Sequence, residues 1–180
     1  MTQSIEIIHT KNWIRSVVVG LNFCPFAGRE FRNNTIHYQV EESAELSKCI
    51  ETFAKECQRL DNNPDIETTL IILPNATPGF EDYLDLVDLA ERLLEESGYE
   101  GIYQVASFHP KYLFAGAKED DPANYTNRSI YPMLHILREE SVEKVIEKHP
   151  NSDDIPDQNI KVAREKGLDA MKTLWAACIG

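Results

Sequence analysis

The chain lacks the features that mark membrane and secreted proteins. Its longest apolar runs, such as LIILP, are far too short to cross a bilayer. The N-terminal stretch MTQSIEIIHTKNW has no basic start followed by an apolar core and a cleavage site, so we expect no signal peptide. The four cysteines form no CxxC and no metal-ribbon spacing. These absences predict a cytoplasmic protein with reduced thiols and no membrane partner.

Basic residues are also scarce. Eighteen Lys and Arg face thirty Asp and Glu, which gives a formal net charge of −12. Such an acidic protein repels nucleic-acid phosphates, and no local basic patch compensates, so we predict no nucleic-acid partner. The usual cues for nucleotide cofactors, GxGxxG and GxxxxGK[ST], are missing as well. The sequence therefore names no cofactor, and it leaves the oligomeric state open.

The chain does contain an alternation of helical and strand patterns, and its 180 residues suit a single domain, residues 1–180. Apolar periodicity predicts helices at residues 5–21, from a Ser43 cap through Leu60, at 80–97, from 130 to about His149, and at 157–178, with strands at 36–41, 68–73 and 102–108. We predict an α/β fold, three-layer-like, in which about five helices cover a small, mainly parallel sheet of three or four strands. Because three strands are few for such a sheet, an α+β fold with an antiparallel edge strand is the alternative.

Side chains that catalysis uses are concentrated in residues 102–139. In a parallel sheet, loops at the carboxyl ends of the strands form the ligand crevice. His109 stands at such a strand end, and the following Pro110 restricts it to extended conformations. An imidazole titrates near neutral pH, so His109 is a candidate general acid or base. The alternative is a histidine that is hydrogen-bonded in a loop for stability.

The segment NYTNRS leads directly into the predicted helix start near Tyr131. A helix N-terminus offers free amides and a positive dipole end, and the Arg128 guanidinium matches phosphate or carboxylate. Asn124, Asn127 and Ser129 add polar groups, so the segment predicts a site for a small anion. The alternative is helix capping by Asn127 or Ser129 beside a solvated Arg128.

Within the predicted helix, Arg128, Tyr131, His135 and Arg138 follow one another at steps of three, four and three. Such spacing places side chains on one side of a helix. We therefore add Tyr131 and Arg138 to the anion site and His135 to the candidate acids and bases. The alternative is a solvated polar face.

Cys24 is a third catalytic candidate. If Pro25 opens a helical turn, the thiol lies at a helix N-terminus, which lowers a thiol pKa. Cys24 and His109 would then form a nucleophile and base pair. The neighbouring Phe23 and Phe26 favour the alternative, a buried and inert cysteine.

A metal site is a weaker option. His109 and His135 with Asp120 or Asp121 would make a known ligand set. No HxH or HExxH spacing supports it, so no metal ligands are assigned.

Several motifs together resemble a known family. They are GLNFCPFA, ETTLIILP, QVASFHP, FHPKYLFAG, NYTNRS and YPMLHILRE, and they span nearly the whole chain. In them the sequence resembles the bacterial "domain of unknown function 1415" family. The resemblance implies a bacterial cytosolic protein and supplies no activity.

The residues themselves favour an enzyme that acts on a small molecule carrying phosphate or carboxylate, by histidine-mediated acid–base chemistry. Two alternatives stay open. One is a non-catalytic small-molecule binding or assembly protein that uses the same pocket. The other is thiol chemistry at Cys24.

Overall fold

The computed structural model describes residues 3–148 and 152–180, in which a four-stranded sheet carries helices on both faces. The helices are α1 (Ile5–Trp13), which continues as a π-helix (Ile14–Val19), α2 (Ala27–Asn33), α3 (Leu46–Asn62), α4 (Phe80–Glu96), α5 (Glu139–Lys148), α6 (Ile155–Lys166) and α7 (Leu168–Ala176). The strands are β1 (Ile36–Val40), β2 (Thr68–Ile72), β3 (Tyr103–Phe108) and β4 (Met133–Arg138). The predicted three-layer α/β fold is confirmed. None of the helices in these two ranges is long and apolar enough to span a membrane.

The sheet is mixed rather than mainly parallel. Its order is β1-β2-β4-β3, in which β1 and β2 are parallel and β4 is antiparallel to both of its neighbours. The antiparallel strand is therefore internal, not at an edge as the α+β alternative had it. The first three strands share one direction, so their carboxyl ends lie at one edge of the sheet.

The predicted helix from residue 130 to about His149 is wrong in its first half. Residues Met133–Arg138 form β4, and α5 begins only at Glu139; the predicted end at His149 lies outside the described residues. The run MLHIL is apolar enough for a strand buried on both faces, and so short an apolar run does not distinguish strand from helix. Side chains in β4 therefore alternate between the faces of the sheet.

Three smaller predictions also change. The C-terminal helix is broken at Gly167, whose φ of +85° suits glycine, into α6 and α7. Ser43 does not cap α3, because its hydroxyl accepts from the Glu45 amide in the preceding turn. The helix after Pro25 begins at Ala27.

Two separate cores lie on the two faces of the sheet. On one face, α3 and α4 pack through residues such as Phe53 and Tyr83. On the other, α1, the π-helix, α6 and α7 pack around Trp13, Met133 and Met171. Leu134 and Ile136 of β4 belong to the first core, and Met133 belongs to the second. His135, two residues after Met133, consequently faces the second side.

Candidate functional site

His109 follows the last residue of β3 and is buried against α4. Only 1% of it is exposed, and its ring centroid lies 4.9 Å from that of Tyr83 and 5.5 Å from that of Phe80. Nε2 donates to the carbonyl of Thr77 at 2.9 Å, and Nδ1 accepts from the Lys111 amide at 3.0 Å. Burial lowers the pKa of this imidazole. Both nitrogens of a neutral ring are thus held by backbone, which ties together the loops after β2 and β3.

The two asparagines of the predicted anion site lie inside the loop. Asn124 is fully buried, where its Oδ1 accepts from the Phe114 amide at 3.1 Å and its Nδ2 donates to the Lys118 carbonyl at 2.8 Å. Asn127 donates through Nδ2 to the Ser107 carbonyl of β3 at 3.3 Å. Both side chains therefore hold the loop in its fold.

Arg128 is engaged in the same way. Its Nε donates to the Tyr112 carbonyl at 3.0 Å and its Nη2 to the Glu119 carbonyl at 3.1 Å. The guanidinium carbon also lies 5.0 Å from the centroid of the Tyr125 ring. The helix start that was predicted just after Arg128 is absent, because β4 occupies that part of the chain. The predicted anion site consequently loses the helix dipole on which it depended.

Ser129 and Tyr131 point to different partners. Ser129 is fully buried, and its hydroxyl donates to the carbonyl of Tyr131. The Tyr131 hydroxyl is paired with Nδ1 of His9 on α1 at 2.7 Å, and the two rings are stacked with centroids 6.0 Å apart. These contacts attach the segment before β4 to the N-terminal helix.

Arg138 lies at the end of β4 and binds the carboxyl end of α3. Its Nη2 donates to the carbonyls of Leu60 at 2.8 Å and Ile66 at 3.0 Å, and its guanidinium carbon lies 5.8 Å from the centroid of the Tyr103 ring. These partners lie on the α3 side of the sheet, opposite to His135. The predicted stripe of four polar side chains is therefore wrong, since it assumed a helix.

The histidines and aspartates of the metal option are not brought together. Asp121 receives two hydrogen bonds from Arg164, at 3.1 and 2.7 Å, which hold the pKa of its carboxyl below the usual range. Asp120 is exposed. Among residues 3–148 and 152–180, no three His, Cys, Asp or Glu side chains are placed to hold a metal ion. The open cleft of about 660 Å³ between the Asp121 loop and α6 is lined by none of the predicted catalytic residues.

A cavity of about 510 Å³ lies on the opposite side of the sheet from α3 and α4, beneath α5. Its volume is typical of small-molecule sites, which measure about 300–1,000 Å³. All four strands contribute to it, together with the N-terminal helices and α5. Its apolar walls include Trp13, Ile14, Val18, Phe26, Leu70, Phe108, Val142 and Val145. Two of the predicted catalytic residues, Cys24 and His135, line it as well.

His135 stands in the middle of β4, in register with Leu70 and Ala106. Its Nε2 lies 2.7 Å from the Thr68 hydroxyl, which donates its own proton to the Ile136 carbonyl at 2.6 Å. Nε2 must therefore carry the hydrogen, and Nδ1 is the free acceptor. Nδ1 has no hydrogen-bond partner in the described ranges and is not enclosed by protein. Burial lowers the pKa of His135 to about 4, so the ring is neutral at pH 7.

Cys24 lines the same cavity and is half-buried. Its predicted partner His109 does not line it. Burial raises the pKa of the thiol, although hydrogen bonds from the amides of Phe26 and Ala27 act in the opposite direction. Cys49, Cys57 and Cys178 are buried.

A family model described as "Protein of unknown function (DUF1415)" matches residues 6–173. The chain belongs to the DUF1415 family. No curated protein and no solved structure matches it. The family description carries no activity.

The cavity rim of this DUF1415 protein is more basic than the chain as a whole. Among the described lining residues, four are basic and two are acidic, whereas the whole chain carries a net charge of −12. The basic residues are Arg29, Arg138, Lys144 and Lys148, and the acidic ones are Glu30 and Glu67. The guanidinium of Arg138 is engaged by α3, which leaves α2 and α5 to supply the accessible cations.

Sequence reasoning missed most of the lining of this DUF1415 cavity. Trp13, Thr68 and Phe108 lie within the predicted helix 5–21 and the predicted strands 68–73 and 102–108, and none of them was predicted as a site residue. One signal in the sequence does indicate the site. If MLHILR is taken as a strand, His135 is the only polar residue between Met133 and Leu137 on its face, and a lone histidine on an apolar strand face marks a polar point in a core.

Proposed function

We propose that this protein is an enzyme that binds a small anionic molecule in the cavity beneath α5 and uses His135 to move a proton. One observation carries the proposal. The hydrogen-bond chain from His135 through Thr68 to the Ile136 carbonyl fixes the tautomer of the ring and leaves Nδ1 as an acceptor in a largely apolar cavity.

The chemistry that follows is abstraction of a proton from an O–H or N–H group of the bound molecule. Nδ1 is unprotonated at neutral pH, since the pKa of His135 is lowered to about 4. A protonated imidazole is disfavoured in this apolar cavity, so the proton that Nδ1 takes from the O–H or N–H bond of the ligand is released to solvent water, which restores the neutral ring. In this proposal His109, Asn124, Asn127, Arg128, Ser129, Tyr131 and Arg138 hold the loops and strands that surround the cavity.

Two other functions use the same cavity. A protein that only binds its ligand would need Nδ1 as a hydrogen-bond acceptor and no proton transfer. Thiol chemistry is favoured by a single observation, the presence of Cys24 and His135 in one lining. The raised pKa of Cys24 argues against a reactive thiolate.

An extract of small metabolites tests the proposal directly. The protein is incubated with the extract, and both the retained and the consumed compounds are identified by mass spectrometry. We expect the wild type to consume an anionic compound that His135→Gln retains but does not consume. Gln keeps a donor for Thr68 and removes the basic nitrogen.

Ala106→Phe provides the matched control, because Ala106 lines the cavity directly opposite His135 in the register. The added ring fills the space, so this variant should retain nothing. Retention without consumption by the wild type would favour the binding function. Equal consumption by the wild type and His135→Gln would overturn the catalytic role of His135.

Mild iodoacetamide treatment tests the thiol alternative. A Cys24 that is no more reactive than the buried Cys49, measured by mass spectrometry of the alkylated peptides, would exclude it.

A further inference from the structure

We infer that the ligand of the cavity beneath α5 is an amphiphile, with an apolar body inside and a single anionic group at the rim. The inference rests on the proposed function only in placing the ligand in this cavity. It adds a chemical class to that proposal, because it excludes polyhydroxylated anions such as sugar phosphates.

The interior of the cavity offers few open hydrogen-bonding groups. The Thr68 hydroxyl is engaged by His135 and by the Ile136 carbonyl. The Cys24 sulfur accepts hydrogen bonds from the backbone amides of Phe26 and Ala27. Around these groups most of the wall is formed by aromatic and aliphatic side chains, with Gln104 and Ser141 as the remaining uncharged polar residues. A ligand with many hydroxyl groups would leave several of them without partners, at a cost of about 1–3 kcal/mol for each one. An apolar ligand body gains binding free energy when its surface is buried against the same walls.

The α5 helix itself shows the polarity expected for an amphiphile site. Val142 and Val145 contribute to the apolar wall, and Lys144 and Lys148, one turn apart, bring two ammonium groups to the same lining. Lys144 is paired with Glu140, but both side chains are exposed, and exposed ion pairs contribute only about 0–1 kcal/mol. A ligand carboxylate, sulfonate or phosphate can therefore take over this partner at little cost.

The α2 helix contributes a further cation to the cavity lining. Nε of Arg29 in α2 lies 3.5 Å from a carboxylate oxygen of Glu30; the arginine side chain is 72% exposed and the glutamate side chain 17%. Both residues line the cavity. The exposed cations of α2 and α5 thus belong to one lining, whereas the neutral imidazole of His135 lies on the sheet. The anionic group belongs at the opening, and the apolar body extends toward the sheet.

Trp13 makes the inference testable by fluorescence. The chain has two tryptophans, and Trp13 lines the cavity whereas Trp175 does not. In a Trp175→Phe variant, the emission therefore reports on Trp13 alone. The probes are decanoate with a terminal bromine, which quenches tryptophan on contact, and the matching bromine-labelled decanol and decyltrimethylammonium.

We expect saturable quenching by the carboxylate and binding of the alcohol that is weaker by about fivefold, the upper end of what an exposed ion pair contributes. The ammonium probe should bind more weakly still. The double change Lys144→Gln with Lys148→Gln should remove the preference for carboxylate and leave the affinity of the alcohol unchanged. Lys161→Gln with Lys166→Gln on α6 is the matched control, since it changes the net charge equally, lies outside the cavity lining and should keep the preference.

Several results would overturn the inference. Equal affinity for the carboxylate and the alcohol would exclude recognition of the anionic group. Loss of the preference in the α6 control would show that net charge alone produces it. Inorganic phosphate that displaces the carboxylate probe at equal concentration would show that the apolar body adds nothing. If no probe quenches Trp13 while the metabolite experiment shows a retained polar anion, the inference fails and the proposed function stands. If neither experiment shows a bound molecule, both fail.

Discussion

The loop of residues 109–128 and the cavity beneath α5 are opposites in how their polar groups are used. The loop carries one histidine, one arginine and two asparagines, yet His109, Asn124 and Arg128 are all hydrogen-bonded to backbone groups. Much of the cavity wall is apolar, and one of its polar atoms, Nδ1 of His135, has no partner among the described residues. The first region uses polar chemistry to hold a fold, and the second keeps a polar atom available.

This difference gives a criterion for weighing candidate residues. A long loop without regular structure leaves many backbone amides and carbonyls to be satisfied, and buried backbone groups are almost always paired. Asparagine and arginine side chains are well suited to that task, because they combine several donors with a planar shape. A concentration of such residues in a long loop is therefore expected for structural reasons alone. Availability of an atom, rather than the type of residue, separates the two regions.

The largest effect that can break this comparison is expected at Asn124. Asn124→Ala removes both side-chain hydrogen bonds inside the loop. It leaves the Phe114 amide without its partner, and the Lys118 carbonyl keeps only the Asp121 amide. We expect a loss of about 3 kcal/mol in the free energy of unfolding, measured by urea denaturation, and a fall in Tm of roughly 6–12 °C.

Asn75→Ala is the matched control for this change. Asn75 is exposed and donates a single hydrogen bond, to the Glu42 carbonyl at 2.8 Å, so its removal should cost less than about 1 kcal/mol. If Asn124→Ala were no more destabilising than Asn75→Ala, the loop would not depend on its asparagine. The side chain would then be available for a ligand after all.

The second effect concerns His135 and the pH dependence of stability. Its pKa is about 4 in the folded protein and about 6.5 in the unfolded chain, so the unfolded state binds more protons between these values. The neutral His135 ring therefore contributes fully to the free energy of unfolding above about pH 6.5, and this contribution is lost as the pH falls toward 4. Between pH 7 and 4.5 the wild type should lose about 2 kcal/mol more than His135→Gln, after a discount for the partial exposure of the ring.

The comparison of the two pH profiles isolates His135 from other histidines. Burial also lowers the pKa of His37 and His109, and both residues contribute a loss of the same sign in the wild type and in the variant. Parallel profiles, measured by denaturation at each pH, would mean that His135 is hydrated well enough to titrate normally. The cavity around His135 would then be hydrated rather than apolar, and the proposal would lose this premise.

Local patterns in the sequence were enough for most of the fold. The unbroken apolar run of β2 and the long amphipathic stripe of α4 each have one structural interpretation, and both are present close to their predicted bounds. The segment MLHIL has two interpretations, because its apolar residues fit a buried strand as well as a helical stripe. The strand is favoured by its pairing with β2 and β3, which are distant in the sequence.

The candidate site was less accessible to prediction for the same reason. The sequence singled out Cys24 and His135, but their presence in one cavity depends on the insertion of β4 between β2 and β3. The partners of Arg138 likewise depend on which face of β4 it occupies, and a helix prediction gives the wrong answer. The chemical type of each residue can be read from the sequence. The strand pairing that decides which of its atoms stay without a hydrogen-bond partner depends on contacts between distant parts of the chain.

The smallest expected effect lies at Thr77, whose carbonyl accepts the hydrogen bond from His109. Thr77 adopts φ of +47°, which is unfavourable for a β-branched residue, and its buried hydroxyl has no hydrogen-bond partner among the described residues. Thr77→Gly should therefore be more stable than Thr77→Ala by about 1 kcal/mol, since alanine removes the hydroxyl but keeps the backbone strain. Differential scanning calorimetry of the two variants measures the difference. A glycine variant less stable than the alanine variant would mean that the backbone here is unstrained.

The same variant tests whether the two regions are independent. Because Thr77 lies in the loop after β2 and outside the cavity lining, Thr77→Gly should leave the quenching of Trp13 by bromine-labelled decanoate unchanged. A change in the affinity for bromine-labelled decanoate would show that the loops after β2 and β3 and the cavity act as one site. The distinction between the two regions would then not hold.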